Sequence, residues 1–288
     1  MTEGMIDVAG GRVWFRRVGA GAGVPLLVLH GGPGAGWDYL ETLEKLATDR
    51  EVIFYDQLGT GKSDKPDNAS LWTVERFVEE VETVRKTLRL ERVHILGQSW
   101  GGWLAIEYVI TKKPAGLVGL VLANTSASTG EFVRGTTALR AELPKEVQET
   151  MTRCEATGDY HNPEYEGAVL LFYQRHLCRL ADWPACLLRT AANLAGNPVY
   201  ETMNGPNEFT VVGRLKDWDR THQLGDIGAP TLIVVGRYDE IVPSCSETLH
   251  RGIPGSEVHI FEESSHTPHL EEEAAYMRVV GSFLRRVE

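Results

Sequence analysis

A serine flanked by glycines is the residue of this sequence best suited to covalent catalysis. The segment "ILGQSWGG" places Ser99 in the pentad Gly97-x-Ser99-x-Gly101, directly after a predicted strand and before the helical run "WLAIEYVI". Glycines at these two positions let a strand reverse sharply into a helix, and such a turn projects the serine hydroxyl from the edge of the sheet. We therefore predict that Ser99 is a nucleophile. The alternative is an ordinary glycine-rich strand end.

A serine hydroxyl needs a base to take its proton, and the base needs an acid to orient it. The segment "TLIVVGRYDE" places Asp239 after a predicted strand, and "EVHIFEESSHTPH" places His266 after the last predicted strand. The order Ser, Asp, His predicts a catalytic triad. Three neighbours remain alternatives for these roles: Glu240 beside Asp239, His259 within the last strand, and His269, which we expect to open the final helix.

The tetrahedral intermediate of acyl transfer needs hydrogen-bond donors for its negatively charged oxygen. The segment "LHGGPG" at 29–34 follows a predicted strand, and its glycine loop can turn backbone N–H groups inward. The N–H of the residue after the nucleophile is the usual second donor in such a turn. We therefore predict Gly32 and Trp100 as the oxyanion donors, with Gly31 as the alternative to Gly32.

The segment "YDQLGTGKS" ends like a phosphate-binding loop. Such a loop has the form GxxxxGK[ST], which requires a glycine at position 56. This sequence has Asp56 there, and its carboxylate would repel the phosphate that the backbone should hold. We therefore interpret the segment as a glycine-rich turn after a strand and not as a nucleotide site.

Short apolar segments rich in Val, Ile and Leu recur between helical patterns. Their continuous apolarity is typical of strands covered on both faces, and so of a mostly parallel sheet with helices on each side, which is an α/β fold. The predicted strands are 25–30, 51–56, 92–97, 119–124, 231–236 and 257–261. The earlier segment "GRVWFRRVG" alternates instead, and predicts an antiparallel edge strand or hairpin.

The strand pattern is interrupted between the fourth and fifth of these segments. Helical patterns such as "PEYEGAVLLFYQRHLCRL" and "PACLLRTAANLAG", separated by Gly, Pro and Asn, take its place. We predict a helical lid at 128–223, inserted into a sheet domain that is formed by 1–127 and 224–288.

Composition and charge narrow the possible partners. The chain of 288 residues carries 40 acidic and 29 basic side chains, a formal net charge of −11, and has no basic run with interleaved aromatics. Such a surface repels phosphate backbones, so we expect no nucleic-acid partner. The longest apolar runs are too short to span a bilayer, and the segment "MTEGMIDVAGG" lacks the features of a secretory signal. We therefore expect a cytoplasmic protein without a membrane partner.

The cysteines have neither a metal-ligand spacing nor the density of a disulfide scaffold. We interpret all four as reduced packing residues: Cys154, Cys178, Cys186 and Cys245.

Taken together, these motifs resemble the proline iminopeptidase family, the serine aminopeptidases of the α/β-hydrolase superfamily. The resemblance rests on "HGGPG", "YDQLGTGKSD", "GQSWGG", "GRYDE", "SSHTPH" and, in the predicted lid, "MNGPNEF". The lid segment is the most specific of them, because the others also occur in related hydrolases. The resemblance implies an α/β-hydrolase fold, with a mostly parallel central sheet flanked by helices and an inserted helical lid.

The resemblance also implies how the substrate is recognised. Two carboxylates would hold its free amino terminus, Glu208 in "GPNEF" and Glu240 in "YDE". The substrate would be a peptide or an aminoacyl amide that begins with proline or a small apolar residue, and Ser99 would attack the carbonyl of that residue. The acyl-enzyme would then be hydrolysed by water, with no metal and no cofactor.

An apolar pocket for a proline ring has several aromatic candidates. They are Trp100 beside the nucleophile and, in the predicted lid, Phe172, Tyr173 and Phe209.

Other functions remain as alternatives. Members of the family also remove aminoacyl groups from biosynthetic intermediates, so the leaving group need not be a peptide. A serine esterase would use the same triad without the two carboxylates that hold an ammonium, and a ligand-binding receptor of this fold would need no triad at all. Dehalogenases and epoxide hydrolases of this fold place an aspartate where this chain has Ser99.

Overall fold

The computed structural model describes residues 1–288 and contains one eight-stranded sheet. The strand order across the sheet is first, second, fourth, third, fifth, sixth, seventh, eighth. The first and second strands pair antiparallel, as do the second and fourth, and all other neighbours are parallel. The strands are β1 (Thr2–Val8), β2 (Gly11–Val18), β3 (Gly23–Leu29), β4 (Arg50–Tyr55), β5 (Val93–Gln98), β6 (Leu117–Ala123), β7 (Thr231–Gly236) and β8 (Glu257–Phe261).

The strand predictions are confirmed, because each of the six predicted apolar segments lies within two residues of β3 to β8 at either end. The alternating segment forms β2, which makes a hairpin with β1. Strand β1 itself was not predicted. Its sequence TEGMIDV buries only Ile6, so the edge strand lacks the apolar signal of the interior strands.

Ten α-helices surround the sheet. Three 3₁₀ helices accompany them, at Asp38–Leu46, Ala69–Leu71 and Thr221–Asp226. The α-helices are α1 (Val74–Thr87), α2 (Trp100–Lys112), α3 (Thr129–Ala141), α4 (Lys145–Thr157), α5 (Pro163–His176), α6 (Ala185–Leu194), α7 (Pro198–Met203), α8 (Pro243–Gly252), α9 (Pro268–Glu271) and α10 (Glu273–Arg286).

The interior strands are apolar throughout because each face of the sheet packs against its own core. In β3, Leu27 and Leu29 belong to the core that contains α2, while Leu26 and Val28 belong to the core that contains α10. Successive residues of a strand point to opposite faces, so a strand covered on both sides needs apolar residues at every position. This arrangement explains why the strands could be predicted from continuous apolarity.

The interval between β6 and β7 contains the five helices α3 to α7 and no strand. Part of this insertion, mainly α4 and α5, has an apolar core of its own, formed by Leu143, Met151, Cys154, Tyr165, Ala168, Phe172 and Phe209. The helices α3, α6 and α7 instead contribute Phe132, Leu187, Val199 and Met203 to the cores on the two faces of the sheet. A separate core agrees with an inserted lid. The predicted boundaries 128 and 223 stay a prediction.

The two ends of this insertion run side by side. The N–H of Thr129 donates to the carbonyl of Trp218 at 2.9 Å, and the N–H of Arg220 donates to the carbonyl of Ala127 at 2.8 Å. The returning end is fastened to α2 through Glu107, which accepts two hydrogen bonds from Arg220 at 2.7 and 2.8 Å and one from the Trp218 indole at 3.0 Å. The helices of the insertion therefore rise from a fixed base.

All four cysteines are buried and free, which agrees with their interpretation as packing residues. None of the helices combines the length and the apolarity that crossing a membrane would require.

Candidate active site

Ser99 lies in a strained turn between β5 and α2. Its φ of 56° and ψ of −125° are rare for a residue with a side chain and are typical of a nucleophile that the fold holds in place. A Cβ at Gly97 would lie 2.2 Å from the carbonyl oxygen of Gly101, and a Cβ at Gly101 would lie 2.0 Å from that of Leu29. The two glycines of the pentad are therefore required by the tight strand-to-helix turn.

Hydrogen bonds made by the N–H and the carbonyl of Ser99 hold its turn in place. The N–H of Ser99 donates to the carbonyl of Ala123 at 2.9 Å, while its carbonyl accepts from Gly102 N at 2.8 Å and Thr125 Oγ1 at 2.9 Å. The Ser99 side chain lies on the wall of a cavity that His266 also lines. Its hydroxyl makes no hydrogen bond within the protein, and catalytic hydrogen bonds of this kind often form only when substrate is bound.

The predicted acid and base are in contact. Asp239 is 1% exposed, and its Oδ1 lies 2.7 Å from Nδ1 of His266. The same oxygen accepts the N–H of Ile241 at 2.8 Å, and Oδ2 accepts Nδ2 of Asn124 at 2.7 Å. The carboxylate is thus fixed on both oxygens, and it presents Nε2 of His266 to the cavity.

Three carboxylates set the charge state of His266. Burial alone would lower its pKa, but the negative charge and hydrogen bond of Asp239, together with the charges of Glu240 and Glu208, raise the pKa to about 9. Glu240 Oε1 lies 3.8 Å from His266 Nε2, on the side of the ring opposite Asp239.

The oxyanion loop distinguishes between the two candidate glycines. The N–H of Gly31 donates to the hydroxyl of Tyr39 at 2.8 Å, so it is already committed. The N–H of Gly32 makes no hydrogen bond within the protein, and Gly32 adopts a φ of 107°. Trp100 is the first residue of α2, where an N–H has no helical acceptor. Gly32, Ser99 and Trp100 together line a small secondary cavity, which supports Gly32 over Gly31.

Gln57 joins three motifs of the sequence. Its N–H donates to Nε2 of His30 at 3.0 Å, its Nε2 donates to the carbonyl of His30 at 2.9 Å, and its Oε1 accepts the Trp100 indole at 2.9 Å. Burial lowers the pKa of His30 to about 4, so the ring is neutral and its Nε2 can accept. The segments "HGGPG", "DQLG" and "QSWGG" therefore form one hydrogen-bonded unit around the oxyanion loop.

The glycine-rich turn after β4 encloses a carboxylate of the protein itself. Asp56 accepts the N–H of Lys62 at 2.8 Å and that of Trp37 at 3.0 Å. A Cβ at Gly61 would lie 2.1 Å from Asp56 Oδ2, so the backbone wraps closely around this side chain. The interpretation as a structural turn is confirmed, since the place of an anion is taken by Asp56.

The cavity above Ser99 has a volume of about 810 Å³, which is within the usual range for sites that bind small molecules. Its floor is formed by the sheet domain and its remaining walls by the insertion. The apolar part of the lining comes mainly from the insertion: Tyr160, Tyr173, Leu177, Trp183, Leu187, Leu194, Tyr200 and Val212.

The two carboxylates expected to bind an amino terminus both line this cavity. Glu208 is half-buried, and its Oε1 accepts the hydroxyl of Tyr200 at 2.6 Å. Glu240 is 1% exposed, and its Oε2 has no hydrogen-bond partner. Burial raises the pKa of both carboxyls, and the charge of Glu208 raises that of Glu240 further. No lysine or arginine lines the cavity.

The alternative histidines lie outside the cavity. His259 is half-buried in β8 and its ring packs against Phe261 with centroids 4.6 Å apart. His269 lies in the short helix α9 and not at the start of α10, so the expectation that it opens the final helix is wrong. Its Nε2 contacts the carbonyl of Tyr39 at 3.1 Å, and burial lowers its pKa to about 3. Both rings have packing roles.

The predicted aromatic pocket is found only in part. Tyr173 lines the cavity, but Phe172 and Phe209 pack against each other in the core of the insertion, with centroids 5.0 Å apart. Trp100 is buried beside Phe77 and lines only the small secondary cavity. The two phenylalanines pack inside the insertion and not on the cavity wall, because the insertion needs aromatic side chains to build a core of its own.

Comparison with known proteins identifies the family. The chain matches the model of the alpha/beta hydrolase fold over residues 24–273. It is 42% identical over 287 residues to a proline iminopeptidase of Heyndrickxia coagulans, which covers 99% of each chain. The crystal structure of proline iminopeptidase from Mycobacterium smegmatis has a TM-score of 0.92 and 38% identity, with 99% of this chain and 98% of that chain covered.

The chain belongs to the proline iminopeptidase family. A second solved structure, that of VinJ, has a TM-score of 0.96 and 37% identity, with 100% of this chain and 99% of that chain covered. These matches confirm the resemblance and the α/β-hydrolase fold that the motifs implied.

Four residues that orient the candidate site were not predicted from the sequence: Tyr39, Gln98, Asn124 and Tyr200. Asn124 holds Asp239, Tyr200 holds Glu208, and Tyr39 donates to Gln98 while accepting from the oxyanion loop. Only Asn124 carries a signal in the sequence, because it is a polar residue directly after the apolar strand β6. Tyr39 and Gln98 meet across 59 positions of the chain, and Tyr200 contacts Glu208 from eight positions before it.

Proposed function

We propose that this protein is a serine aminopeptidase that removes an N-terminal proline or small apolar residue through an acyl-enzyme. The observation that carries this proposal is that one cavity contains both Ser99 with His266 and the carboxylates Glu208 and Glu240. The first pair supplies the chemistry of acyl transfer. The second pair supplies the negative charge that a free amino terminus requires.

Acylation begins when Ser99 Oγ attacks the carbonyl carbon of the first residue. Nε2 of His266 takes the hydroxyl proton, while Asp239 holds the ring by its Nδ1–H at 2.7 Å and stabilises the imidazolium that forms. The N–H groups of Gly32 and Trp100 donate to the oxyanion. Loss of one such donor typically lowers turnover by about 10²–10³.

The tetrahedral intermediate then collapses and the C–N bond breaks. His266 returns its proton to the departing nitrogen, which leaves as a shortened peptide or amine. Water enters, His266 takes one of its protons, and the oxygen attacks the ester carbonyl. The second tetrahedral intermediate collapses, the ester bond breaks, and His266 returns the proton to Ser99 Oγ. The first residue leaves as a free amino acid, and no metal or cofactor takes part in these steps.

Glu208 and Glu240 fix the position of the substrate by its ammonium group. Each charge-assisted hydrogen bond contributes about 1.5–3 kcal/mol. Tyr200 orients Glu208, while Oε2 of Glu240 has no partner in the protein and is free to accept from the ligand. Because the ammonium lies at a fixed distance from the first carbonyl, the same contacts place that carbonyl at Ser99.

The leaving group has room in the cavity. A volume of about 810 Å³ exceeds the needs of one prolyl residue and fits a ligand of drug size. This favours a second candidate function, removal of an aminoacyl group from a larger biosynthetic intermediate. The proposed lid at 128–223, between the core segments 1–127 and 224–288, would select among leaving groups. We propose a cytoplasmic location, and a surface of net charge −11 argues against nucleic acid as a partner.

A turnover assay tests the aminopeptidase. We expect L-prolyl-2-naphthylamide to be cleaved and its N-acetylated form to be ignored, and we expect Glu208→Ala to lower kcat/KM by one to three powers of ten. Glu149 on α4 is exposed and makes no ion pair, so Glu149→Ala is the matched control. Equal turnover of the free and acetylated substrates would show a general amidase instead, and cleavage of neither would leave the serine esterase.

A labelling experiment separates the enzyme from a ligand-binding receptor. A fluorophosphonate should attach to Ser99 in the wild type, and the rate should collapse in His266→Ala because the serine then lacks its base. A serine that does not react would favour the receptor. A survey of aminoacyl-naphthylamides with varied first residues, followed by longer peptides, would then define both ends of the substrate.

A further inference from the structure

His266 faces three carboxylates, and no lysine or arginine lines its cavity. Asp239 contacts its Nδ1 at 2.7 Å, Glu240 Oε1 lies 3.8 Å from its Nε2, and Glu208 lines the same cavity. We call these four residues the His266 cluster. Since no lysine or arginine lines the cavity, the imidazole is the only group of the cluster that can carry positive charge.

Two of the three carboxylates are almost completely buried. Asp239 and Glu240 are each 1% exposed, and Oε2 of Glu240 has no hydrogen-bond partner. A buried carboxylate without a partner is strongly disfavoured in its charged form. Without substrate, the cluster therefore retains a proton close to Nε2 of His266, the atom that must be unprotonated to accept the proton of Ser99.

The other titratable groups that face the cluster do not change this charge balance. His161, Glu166 and Glu201 also line the cavity, but they are exposed and no hydrogen bond or ion pair joins them to the cluster. Burial raises the pKa of Tyr39, Tyr173 and Tyr200, so these phenols stay neutral. Burial lowers the pKa of His176 and of His269, which disfavours the charged form of both rings. The raised pKa of His266, about 9, agrees with a retained proton.

We propose that binding of a substrate ammonium group between Glu208 and Glu240 expels a proton from the His266 cluster, so that His266 becomes a free base only when an amino terminus is in place. This inference rests on the proposed function. One positive charge enters with the ligand and one proton leaves to solvent, and no bond of the substrate is formed or broken. Glu240 thus both recognises the amino terminus and controls the base.

This coupling makes selectivity stronger than binding alone would. A ligand without an ammonium group meets a His266 that is already protonated, so it reacts slowly even when it occupies the cavity. An ammonium ligand forms its own binding contacts and also removes the proton from the His266 cluster, which leaves His266 as a free base. The ligand charge is therefore part of the catalytic apparatus.

Proton release on binding is the direct test. Isothermal titration of L-prolinamide into the Ser99→Ala protein at pH 6.5, in two buffers with different ionisation enthalpies, counts protons without turnover. An α-amino group, with a pKa of about 7.7–8.0, is largely protonated at this pH. We expect release of close to one proton, and less than half of that when Glu240→Gln is added. Binding with equal heats in both buffers would overturn the inference alone, whereas a complete lack of binding would overturn the proposed function with it.

A gain of activity provides the second test. We expect Glu240→Gln to hydrolyse p-nitrophenyl acetate, which has no amine, about tenfold faster than the wild type at pH 7, because each unit by which the pKa of His266 falls gives about tenfold more free base. Its activity on L-prolyl-2-naphthylamide should fall. Glu149→Gln should leave both activities unchanged. An ester activity that is unchanged or lowered in a folded Glu240→Gln protein would contradict a role for Glu240 in controlling the base.

Discussion

Asn124 donates a hydrogen bond of 2.7 Å from its Nδ2 to Oδ2 of Asp239. The same amide nitrogen lies 3.2 Å from the carbonyl oxygen of Ser265, directly before the histidine of the triad. Asn124 is fully buried after β6 and adopts a φ of 50°. One side chain therefore ties together the segments that follow β6, β7 and β8, where the proposed acid and base lie.

Removal of this amide should damage turnover more than binding. In Asn124→Ala, Oδ2 of Asp239 loses its donor, and a buried charged acceptor without a partner costs about 1–3 kcal/mol. We expect kcat on L-prolyl-2-naphthylamide to fall about 10–100-fold with little change in KM. Steady-state kinetics with a melting curve would check this. Asn68→Ala, at an exposed cap, is the control, and an unchanged kcat in Asn124→Ala would show that Asp239 needs no second donor.

The hydroxyl of Tyr39 leads to a second prediction, about the oxyanion loop. It accepts the N–H of Gly31 at 2.8 Å and donates to Oε1 of Gln98, whose Nε2 donates to the carbonyl of His266 at 3.1 Å. Tyr39→Phe leaves a buried N–H and a buried amide oxygen without partners, at a cost of about 1–3 kcal/mol.

For Tyr39→Phe we expect a lower melting temperature and about a tenfold loss of kcat, because the loop that carries Gly32 loses its tether. Comparison of kcat with the rate of fluorophosphonate labelling tests whether the oxyanion loop has moved. If both fall together, the oxyanion loop has moved. A variant with wild-type kcat would show that Gly32 is held by other contacts.

The fold could be predicted from the sequence because its main signal is local. Strands such as β5 and β7 are buried on both faces, so every residue from Thr231 to Gly236 is buried and the segment reads as one apolar run. The edge strand β1 was not predicted because only Ile6 in it is buried. The positions of Phe172 and Phe209 were not predicted either, because an aromatic side chain of the insertion fits a pocket wall and a small core equally well.

A third prediction concerns acid stability. The His30 ring is fully buried, and burial lowers its pKa to about 4, below the usual value of 6.5. The unfolded chain therefore binds a proton at His30 as the pH falls below 6.5, while the folded protein does not until about pH 4. Stability contributed by the neutral ring is fully present above pH 6.5 and is lost between pH 6.5 and 4, by roughly 3 kcal/mol in total.

Urea unfolding at pH 7.5 and pH 5 would measure this loss. We expect the wild type to lose about 2 kcal/mol more between the two values than His30→Asn does, since the variant has no proton to bind at this position. Exposed His222 provides the matched control, His222→Asn, which should follow the wild type. Parallel curves for the wild type and His30→Asn would mean that the His30 ring is accessible to protons in the folded state.

The candidate site was predictable where a residue type and a strand end coincide. Ser99, Asp239 and His266 each follow an apolar strand, and the parallel sheet brings its carboxyl ends to one edge. The residues that orient them were not predictable in this way. Tyr39 and Tyr200 reach their partners from helices whose placement depends on tertiary packing, and no spacing in the sequence reports it.

The base of the insertion leads to the last prediction. Arg220 donates two hydrogen bonds to Glu107, whose side chain is 7% exposed, and the pair joins the returning end of the insertion to α2. In Arg220→Ala, Glu107 keeps only the Trp218 indole as a side-chain donor, and we expect a loss of about 2–3 kcal/mol in the free energy of unfolding. KM should rise, because helices of the insertion form much of the cavity wall.

Two further variants serve as controls. Arg220→Lys keeps the charge but cannot donate to both oxygens of Glu107, so its stability should lie between those of the wild type and Arg220→Ala. Arg251→Ala removes an exposed pair with Glu247 and should change stability by less than about 1 kcal/mol. If chemical denaturation gave the same stability for Arg220→Ala and Arg251→Ala, the insertion would have to be held to the sheet domain by its other contacts, such as those between Trp218 and Trp103, whose rings stack with centroids 4.9 Å apart.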